Sequence, residues 1–498
     1  MAHPDWIDGT NVMLLALRRT PQAPLHRQIY EALKAGIRDG HFRPGSRLPS
    51  TRALCADLKV SRNTVLSAYE QLLAEGYAVS RARATTVVAD VVAPRTTAAD
   101  TPAGAIAPPR LSSYAQRLTR EPSMPPSGSY AARPGLRWDF RYGKPAVNDF
   151  PHDVWRRLLA AHAKRPSRDS LGYADPAGHR PLREALAEYL HRARGLRCDA
   201  EQIVVVNGSQ QAIDLAARVL LDPGDAAVVE SPHYTGATVA FDAIGARLIR
   251  VPCDAQGLDP AQLPASTARA RLAYVTPCHQ FPSGVILPLE RRLALLDWAA
   301  RTDAWIVEDD YVSEFRYEGR PLEALQSLDR HGRVVYVGTF AKTLVPALRL
   351  GYLVLPRALV RPFIAAKWVS DRFTTPLPQA ALAEFITSGA FERHLRRAGL
   401  HNAARRRTLI GALQQQLGDR IEIAGENTGV HLVVWLNGMR PRDLPALMAR
   451  AEAAGIGLYS VAPYYAQPQP RAGLLFGYAS LSEAEIRTGI RKLAALLT

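Results

Sequence analysis

Lys342 is the residue of this sequence best placed for covalent chemistry. It stands in TFAKTLVPALRLG, just after the apolar run VVYVGT, and is the only lysine between positions 164 and 367. An amine among apolar groups and near other positive charge has a depressed pKa, and its neutral form attacks carbonyls to make imines. A single lysine is far more often a solvated surface group, so its neighbours carry the case. Thr339 and Arg349 flank it at spacings that can bring a hydroxyl and a guanidinium to one phosphate. Upstream, Asn207-Gly208-Ser209-Gln210 joins a strand-like run to the helical segment QAIDLAARVLL. The backbone N–H groups of Ser209 and Gln210 at that helix start would form an anion cradle. Taken alone, a Gly-Ser turn before a helix is commonly just a cap.

Asp309 and Asp310 end the run AWIVEDD, where a carboxylate would sit at the functional edge of an open sheet. An acid pair at a strand end is otherwise an ordinary solvated loop. Tyr311 follows them, able to hydrogen-bond a phenolic oxygen. Tyr234, in ESPHYTGA, is able to stack on a ring or simply to pack in a core. An imine-forming lysine, a carboxylate for a pyridinium nitrogen, a stacking ring and phosphate donors are the parts a pyridoxal 5'-phosphate (PLP) site needs. No metal site is expected, because Cys55, Cys198, Cys253 and Cys278 show no CxxC or Cys/His spacing.

The elements that must position these groups are short Val/Ile-rich runs: 203–208, 226–231, 247–252, 272–277, 304–310, 334–339 and 349–355. Amphipathic segments of helix length, such as QQAIDLAARVLL and LERRLALLDWAARTD, separate several of them. That alternation predicts a largely parallel sheet covered on both faces, within an α/β domain over 136–498. The last 120 residues read as a smaller α+β part, with helices near 379–416 and 442–454 and strands near 430–436 and 473–478. Residues 91–135 hold eight prolines among many Ala, Ser, Thr and Gly, which predicts an extended, proline-rich linker.

Ahead of the linker, residues 20–90 predict a mostly α-helical winged helix-turn-helix. Leu25, Ile29, Leu33 and Ile37 share one helical face that closes at Gly40. Ser50 is placed to cap TRALCADLK, and Val60-Ser61 leads into RNTVLSAYEQLLAEG, whose apolar side is Val65, Tyr69, Leu72 and Leu73. A recognition helix presents its first turn to base edges, and Arg62, Asn63 and Thr64 are residue types suited to that. Arg52 starts the preceding helix, where a phosphate or flanking base could lie. YAVSRARATTVVADV then reads as two strands with a basic tip. The other reading of this region is a small helical domain that binds protein rather than DNA.

Net charge is +16, from 62 basic residues of which seven are lysines. Such an excess favours polyanionic partners, although an arginine-rich composition can also reflect a GC-rich genome. No apolar run approaches membrane-spanning length, and the N-terminus lacks a basic segment followed by an apolar one, so a cytoplasmic location is expected.

The N-terminal stretch resembles the DNA-binding domain of the GntR family, through PLHRQIYEAL, PGSRLPSTRALCADLKVSRNTV and YEQLLAEGY. The resemblance implies that Arg52, Arg62, Asn63 and Thr64 face a double-stranded DNA operator. It departs at the wing tip, where the family's Gly-Ser-Gly-Thr-like turn is replaced by Arg81-Ala82-Arg83-Ala84-Thr85. The rest resembles fold-type I aminotransferases, and specifically the MocR branch of GntR regulators, with a likeness to PLP-responsive, PdxR-type members. LGYADPAGHRPLREALAEYL, VVVNGSQQAIDL, ESPHYTGA, TPCHQFPSGVILPLERRLALL, VEDDYVSEFRY and GTFAKTLVPALRLGYLV carry that likeness. It implies that Lys342 forms the Schiff base with PLP, Asp309 pairs with the pyridinium, Tyr311 with the phenolic oxygen, and Tyr234 stacks. Ser209, Gln210, Thr339 and Arg349 would hold the phosphate. Phe281 stands where true aminotransferases carry an asparagine, with His279 and Gln280 beside it.

Two function classes follow. One is a transcription regulator whose PLP domain senses PLP, or a small amine or amino acid such as GABA or taurine, and shifts operator binding. The other is a working aminotransferase with a DNA-binding appendage. Turnover needs a seat for a substrate carboxylate, usually an arginine near the C-terminus. Here that strand reads RAGLLFGYASL, with leucines at its centre and Arg471 at its start, which favours the regulator over the enzyme. The resemblance further implies a head-to-tail homodimer.

Overall fold

A computed structural model describes Leu17 and residues 23–81, 85–90, 110–120, 135–166, 171–265, 270–319 and 322–497. The chain divides into two compact units, Met1–Arg110 and Leu111–Thr498.

The first unit is built on α1 (Leu25–Arg38), α2 (Thr51–Leu58) and α3 (Arg62–Ala74). Ile29, Leu33 and Ile37 meet Val65, Ala68, Tyr69 and Leu72 in one core. Each large apolar side chain among them, fully buried, contributes about 1.5–3 kcal/mol. Leu73, grouped by sequence with the apolar side of α3, lies at the edge of that core. The predicted cap forms, Ser50 Oγ accepting from Ala53 N at 3.1 Å, and Ser61 Oγ likewise caps the next helix by accepting from Thr64 N at 3.2 Å. Lys59, in the left-handed region at φ 51°, ends α2 and makes the tight turn into α3. Strands β1 (Ala78–Arg81) and β2 (Thr85–Val88) then pair antiparallel, with Arg81 opposite Thr85. Residues 82–84 of the wing tip lie outside the described residues.

The linker expectation needs correcting. Ser113–Leu118 is a helix, capped by Ser112 Oγ accepting from Ala115 N at 3.2 Å. It packs on the second unit. Arg117 Nε donates to Ala243 O at 3.0 Å, and Arg218 lies over the Tyr114 ring and donates to its hydroxyl at 3.2 Å. The second unit therefore begins at Leu111 rather than 136. SSYAQRL contains no proline or glycine and can be helical, which an average over 45 proline-rich residues conceals. Residues 91–109 and 121–134 lie outside the described residues.

In the second unit β3 (Trp138–Asp139) precedes β4 (Ile203–Val206), β5 (Ala226–Ser231), β6 (Arg247–Asp254), β7 (Gly257–Leu258), β8 (Leu272–Val275), β9 (Trp305–Asp310), β10 (Val334–Thr339) and β11 (Gly351–Val354). The last eight form one sheet in the order β4-β11-β10-β9-β8-β5-β6-β7. Strands β6, β5, β8, β9 and β10 run parallel, whereas β11 is antiparallel to both β10 and β4. Alternate residues serve opposite faces: Val204 and Val206 enter one core cluster, Ile203 and Val205 another. Burial on both sides explains why these strands read as continuous apolar runs.

The smaller part holds β12 (Ile421–Ala424), β13 (His431–Leu436) and β15 (Ala472–Gly477) in an antiparallel sheet, with β14 (Ile456–Gly457) paired to β3. Leu432, Val434, Leu474 and Phe476 pack on Leu409, Leu413, Ile486 and Ile490 of its helices. Among the described residues no helix is long and apolar enough to cross a membrane.

Candidate functional site

Parallel strands end on the same side, and this sheet gathers the candidate residues along one edge. Asp309 is the last residue but one of β9, Thr339 closes β10, Asn207 follows β4, and Lys342 stands three residues beyond Thr339. Tyr234 stands at the residue just before the helix Thr235–Ile244 that follows β5.

Asp309 and Asp310 occupy opposite faces of β9, and their surroundings separate them. Asp310 accepts from Arg194 Nη2 at 2.6 Å and Nε at 3.0 Å, and from Tyr336 OH at 2.7 Å. That ion pair is buried on both sides, so removing one partner would strand the other at about 3–5 kcal/mol. Asp310 thus belongs to the framework. Asp309 accepts one bond, from Tyr274 OH at 2.6 Å, and its Oδ1, like Asp310 Oδ1, is buried with no hydrogen-bond partner; what sets Asp309 apart is that no cation among the described residues is paired with it. Burial pushes its carboxyl up to about 6. Asp310 adds to that push, while the Tyr274 bond and the charge of Lys342 oppose it. Tyr274 carries no signal in the sequence. It lies opposite Val307 in the β8–β9 register, on the face Asp309 shares, and strand order is what brings it there.

Lys342 Nζ donates to Gly143 O at 2.7 Å. Burial pulls its ammonium down to about 8, with Asp309 opposing as the smaller influence. The neutral amine therefore dominates above about pH 8 instead of above 10.5. Reaction of Lys342 with a small aldehyde should rise with pH and level off just above 8. Peptide-resolved labelling across a pH series measures this, and a midpoint near 10.5 would contradict the enclosed environment.

Gly208 takes φ +90°, and a Cβ there would lie 2.9 Å from Arg349 Nη2, so glycine lets the arginine cross the turn closely. Arg349 Nη2 donates to Asn207 O at 2.6 Å, and Ser209 opens the helix Ser209–Leu220. Gln210 Nε2 bonds Gly236 O at 2.9 Å, tying this turn to the one carrying Tyr234. Thr339 Oγ1 accepts from Ala341 N at 3.2 Å. Tyr311 OH donates to His279 O at 3.1 Å, and the Tyr234 ring meets Phe281 edge-on at 5.7 Å. The structure thus groups Lys342, Asp309, Tyr311 and Tyr234 on one side, and Ser209, Gln210 and Arg349 around the turn after β4, with Thr339 at the adjoining strand end.

The surroundings of these groups are assembled from distant parts of the chain. Phe281, Val433, Val461 and Leu475 form an apolar cluster with Tyr142, Tyr234, Tyr311 and Tyr464 around them. On β15, Leu474 enters the small-domain core while Leu475 enters this cluster, the alternation of a strand. Arg471 lies at the exposed end of β15 and pairs with Glu422 at 2.6 Å. His279 and His431 face each other at 3.3 Å, both buried, and burial lowers both pKa values, His431 to about 4. Among the described residues no group of three or more His, Cys, Asp or Glu is arranged to hold a metal ion.

In the first unit Arg52, Arg62 and Asn63 are exposed. Thr64 is half-buried, its Oγ1 at 2.8 Å from Ser61 Oγ. The N-cap that starts α3 leaves Arg62 and Asn63 at its solvent-facing first turn.

Comparison with known proteins places both units. Residues 25–88 match the family described as bacterial regulatory proteins, gntR family, and residues 146–468 match aminotransferase class I and II. The chain is 39% identical over 485 residues to the probable rhizopine catabolism regulatory protein MocR of Rhizobium meliloti, covering 96% of this chain and 95% of that one. It is 30% identical to the HTH-type pyridoxine biosynthesis transcriptional regulator PdxR of Corynebacterium glutamicum, covering 95% and 96%. Among solved structures it is similar to LysN, the α-aminoadipate aminotransferase of Thermus thermophilus. That match has 27% identity and a TM-score of 0.69, covering 78% of this chain and 97% of that one. This chain belongs to the MocR branch of the GntR-family transcription regulators, with a GntR helix-turn-helix joined to an aminotransferase class I and II domain.

Proposed function

We propose that the aminotransferase-like domain binds PLP covalently through Lys342 and senses PLP or a small amino compound, thereby changing how the GntR domain holds its operator. The observation that carries this is the pairing of two groups at one sheet edge. Lys342 has an enclosed amine of depressed pKa, and Asp309 has a buried oxygen without a partner. These residues fit the cofactor. The open oxygen of Asp309 suits a ring N–H, and the turn at Gly208, crossed by Arg349, is a cradle that a Cβ would fill.

Lys342 would hold the aldehyde carbon, and Asp309, oriented by Tyr274, would keep the ring nitrogen protonated. Tyr311 would face the phenolic oxygen and Tyr234 the ring. Ser209, Gln210, Thr339 and Arg349 would take the phosphate. Bound PLP supplies an aldehyde that exchanges amines and a ring that withdraws electrons. The protein's own part is to desolvate the amine, hold a proton at the ring nitrogen and close the site with aromatic side chains.

The regulator reading is favoured over steady transamination by the apolar Leu475 in the cluster and by Arg471 being engaged with Glu422. A ligand that prefers one conformation of the large domain then biases DNA binding by linkage. A head-to-tail homodimer acting on operator DNA in the cytoplasm is part of the proposal. Exposed apolar side chains in the second unit, Leu171 at 78%, Tyr173 at 90% and Val369 at 78%, are surface that a subunit contact would cover.

Mixing purified protein with PLP is expected to give a yellow band that borohydride bleaches, leaving a pyridoxyl group on the peptide containing Lys342. A label found on Lys144, on Lys367 or nowhere would refute the site.

A further inference from the structure

The turn after β4 is held from behind by an ion pair between a buried lysine and a half-buried aspartate. Asp371 ends the helix Arg357–Asp371. Its Oδ2 accepts from Asn207 Nδ2 at 2.5 Å and from Gln211 Nε2 at 2.8 Å. Lys367, one helical turn earlier and fully buried in its side chain, donates to both oxygens at 2.8 and 2.9 Å. Gln211 in turn accepts from Asn207 N at 2.7 Å through its Oε1, and Asn207 O receives Arg349. The backbone N–H, the backbone carbonyl and the side-chain NH2 of Asn207, the residue that leads into Gly208 and Ser209, are thus all engaged by side chains. Asp371 organises two of these contacts, one directly and one through Gln211. The chain immediately after Asp371 is strained: Arg372 sits at φ 67°, ψ −64°, and Phe373 N closes a tight turn on Asp371 O at 2.8 Å. That turn fixes the end of the helix at the point where the carboxylate reaches Asn207.

We propose that Asp371, with Lys367 as its counter-ion, is a positioning residue for the anion cradle at 207–210, so that its charge governs how tightly a phosphate-bearing ligand is held. The inference rests on the reading of that cradle as the phosphate seat. A carboxylate is needed because it accepts from three donors at once, and a neutral amide in its place offers one acceptor oxygen and an N–H that opposes Asn207, Gln211 or Lys367. The phosphate never touches Asp371; the effect passes through the orientation of Asn207 and the N–H groups that follow it.

The test compares PLP with pyridoxal, which has the aldehyde and ring but no phosphate, by absorbance titration of the full-length protein. Two variants are used: Asp371→Asn, and the double variant Asp371→Leu with Lys367→Met, which removes both charges so that no buried ion is stranded. Wild-type protein is expected to bind PLP far more tightly than pyridoxal. Each variant should weaken PLP by about tenfold, the net worth of one or two hydrogen bonds, and leave pyridoxal within about twofold. Unchanged PLP affinity, or an equal loss for PLP and pyridoxal, overturns the positioning role in favour of a purely structural one. Wild-type protein that holds PLP and pyridoxal alike removes the phosphate seat itself, and the inference with it. Should the double variant fail to fold by its melting curve, the near-isosteric Asp371→Asn decides between these outcomes.

Discussion

Replacing Lys342 by alanine is expected to abolish the borohydride-fixable PLP band and to weaken PLP binding by on the order of a hundredfold or more, about 2.7 kcal/mol. Two other lysines of the second unit are engaged elsewhere. Lys367 is locked on both oxygens of Asp371 with its side chain fully buried. Lys144 is partly exposed and paired with Asp139 at 2.8 Å. What should survive in the variant is noncovalent contact through the proposed phosphate seat, Ser209, Gln210, Thr339 and Arg349. The fold itself should not suffer, because the substitution removes a desolvated ammonium rather than a packed apolar group. Absorbance and reduction with mass mapping measure the first effect, and a melting curve the second. An alanine protein that keeps the wild-type band would show that the imine forms elsewhere.

Arg62→Ala should have a comparably large effect at the other end of the chain and none at the cofactor site. Arg62 is exposed in the first turn of α3, where Ser61 caps the helix and aims that turn outward. A guanidinium bidentate to guanine is worth about 1–3 kcal/mol of discrimination, so specific operator binding should fall about tenfold to a hundredfold. Non-specific binding, which follows phosphate contacts and salt, should change far less. Fluorescence anisotropy on a duplex selected from a random-sequence library, with a scrambled duplex as control, separates the two. Equal losses on both duplexes would assign Arg62 to the backbone instead of to a base.

The candidate site residues are legible in the sequence where covalent neighbours share a strand end or a helix start. Lys342 and Thr339 are close in the chain, and so are Gly208, Ser209 and Gln210. The cap Ser50 can be read because capping is a local hydrogen bond over three residues. Groups that meet only through strand order cannot be read. Tyr274 reaches Asp309 because β8 lies beside β9 in one particular register. Asp371 reaches Asn207 across a separation of 164 residues. The distinct fates of Asp309 and Asp310 follow from the two faces of β9, one turned to Tyr274 and the other to Arg194. The reversal of β11 is hidden for a similar reason, since an apolar run fully buried in a sheet looks the same in either direction. The helix at Ser113–Leu118 disappears when the proline-rich stretch around it is read as one piece.

What unites the two halves is the claim that the state of the Lys342 site changes DNA binding. The most direct measurement is operator affinity at fixed salt for protein alone, with PLP, and with PLP plus a primary amine, in wild type and in Lys342→Ala. Coupling between the sites predicts that ligand shifts wild-type affinity by about fivefold or more and leaves the alanine variant unmoved. Wild-type affinity that is the same in all three states, or an equal shift in the variant, would contradict it.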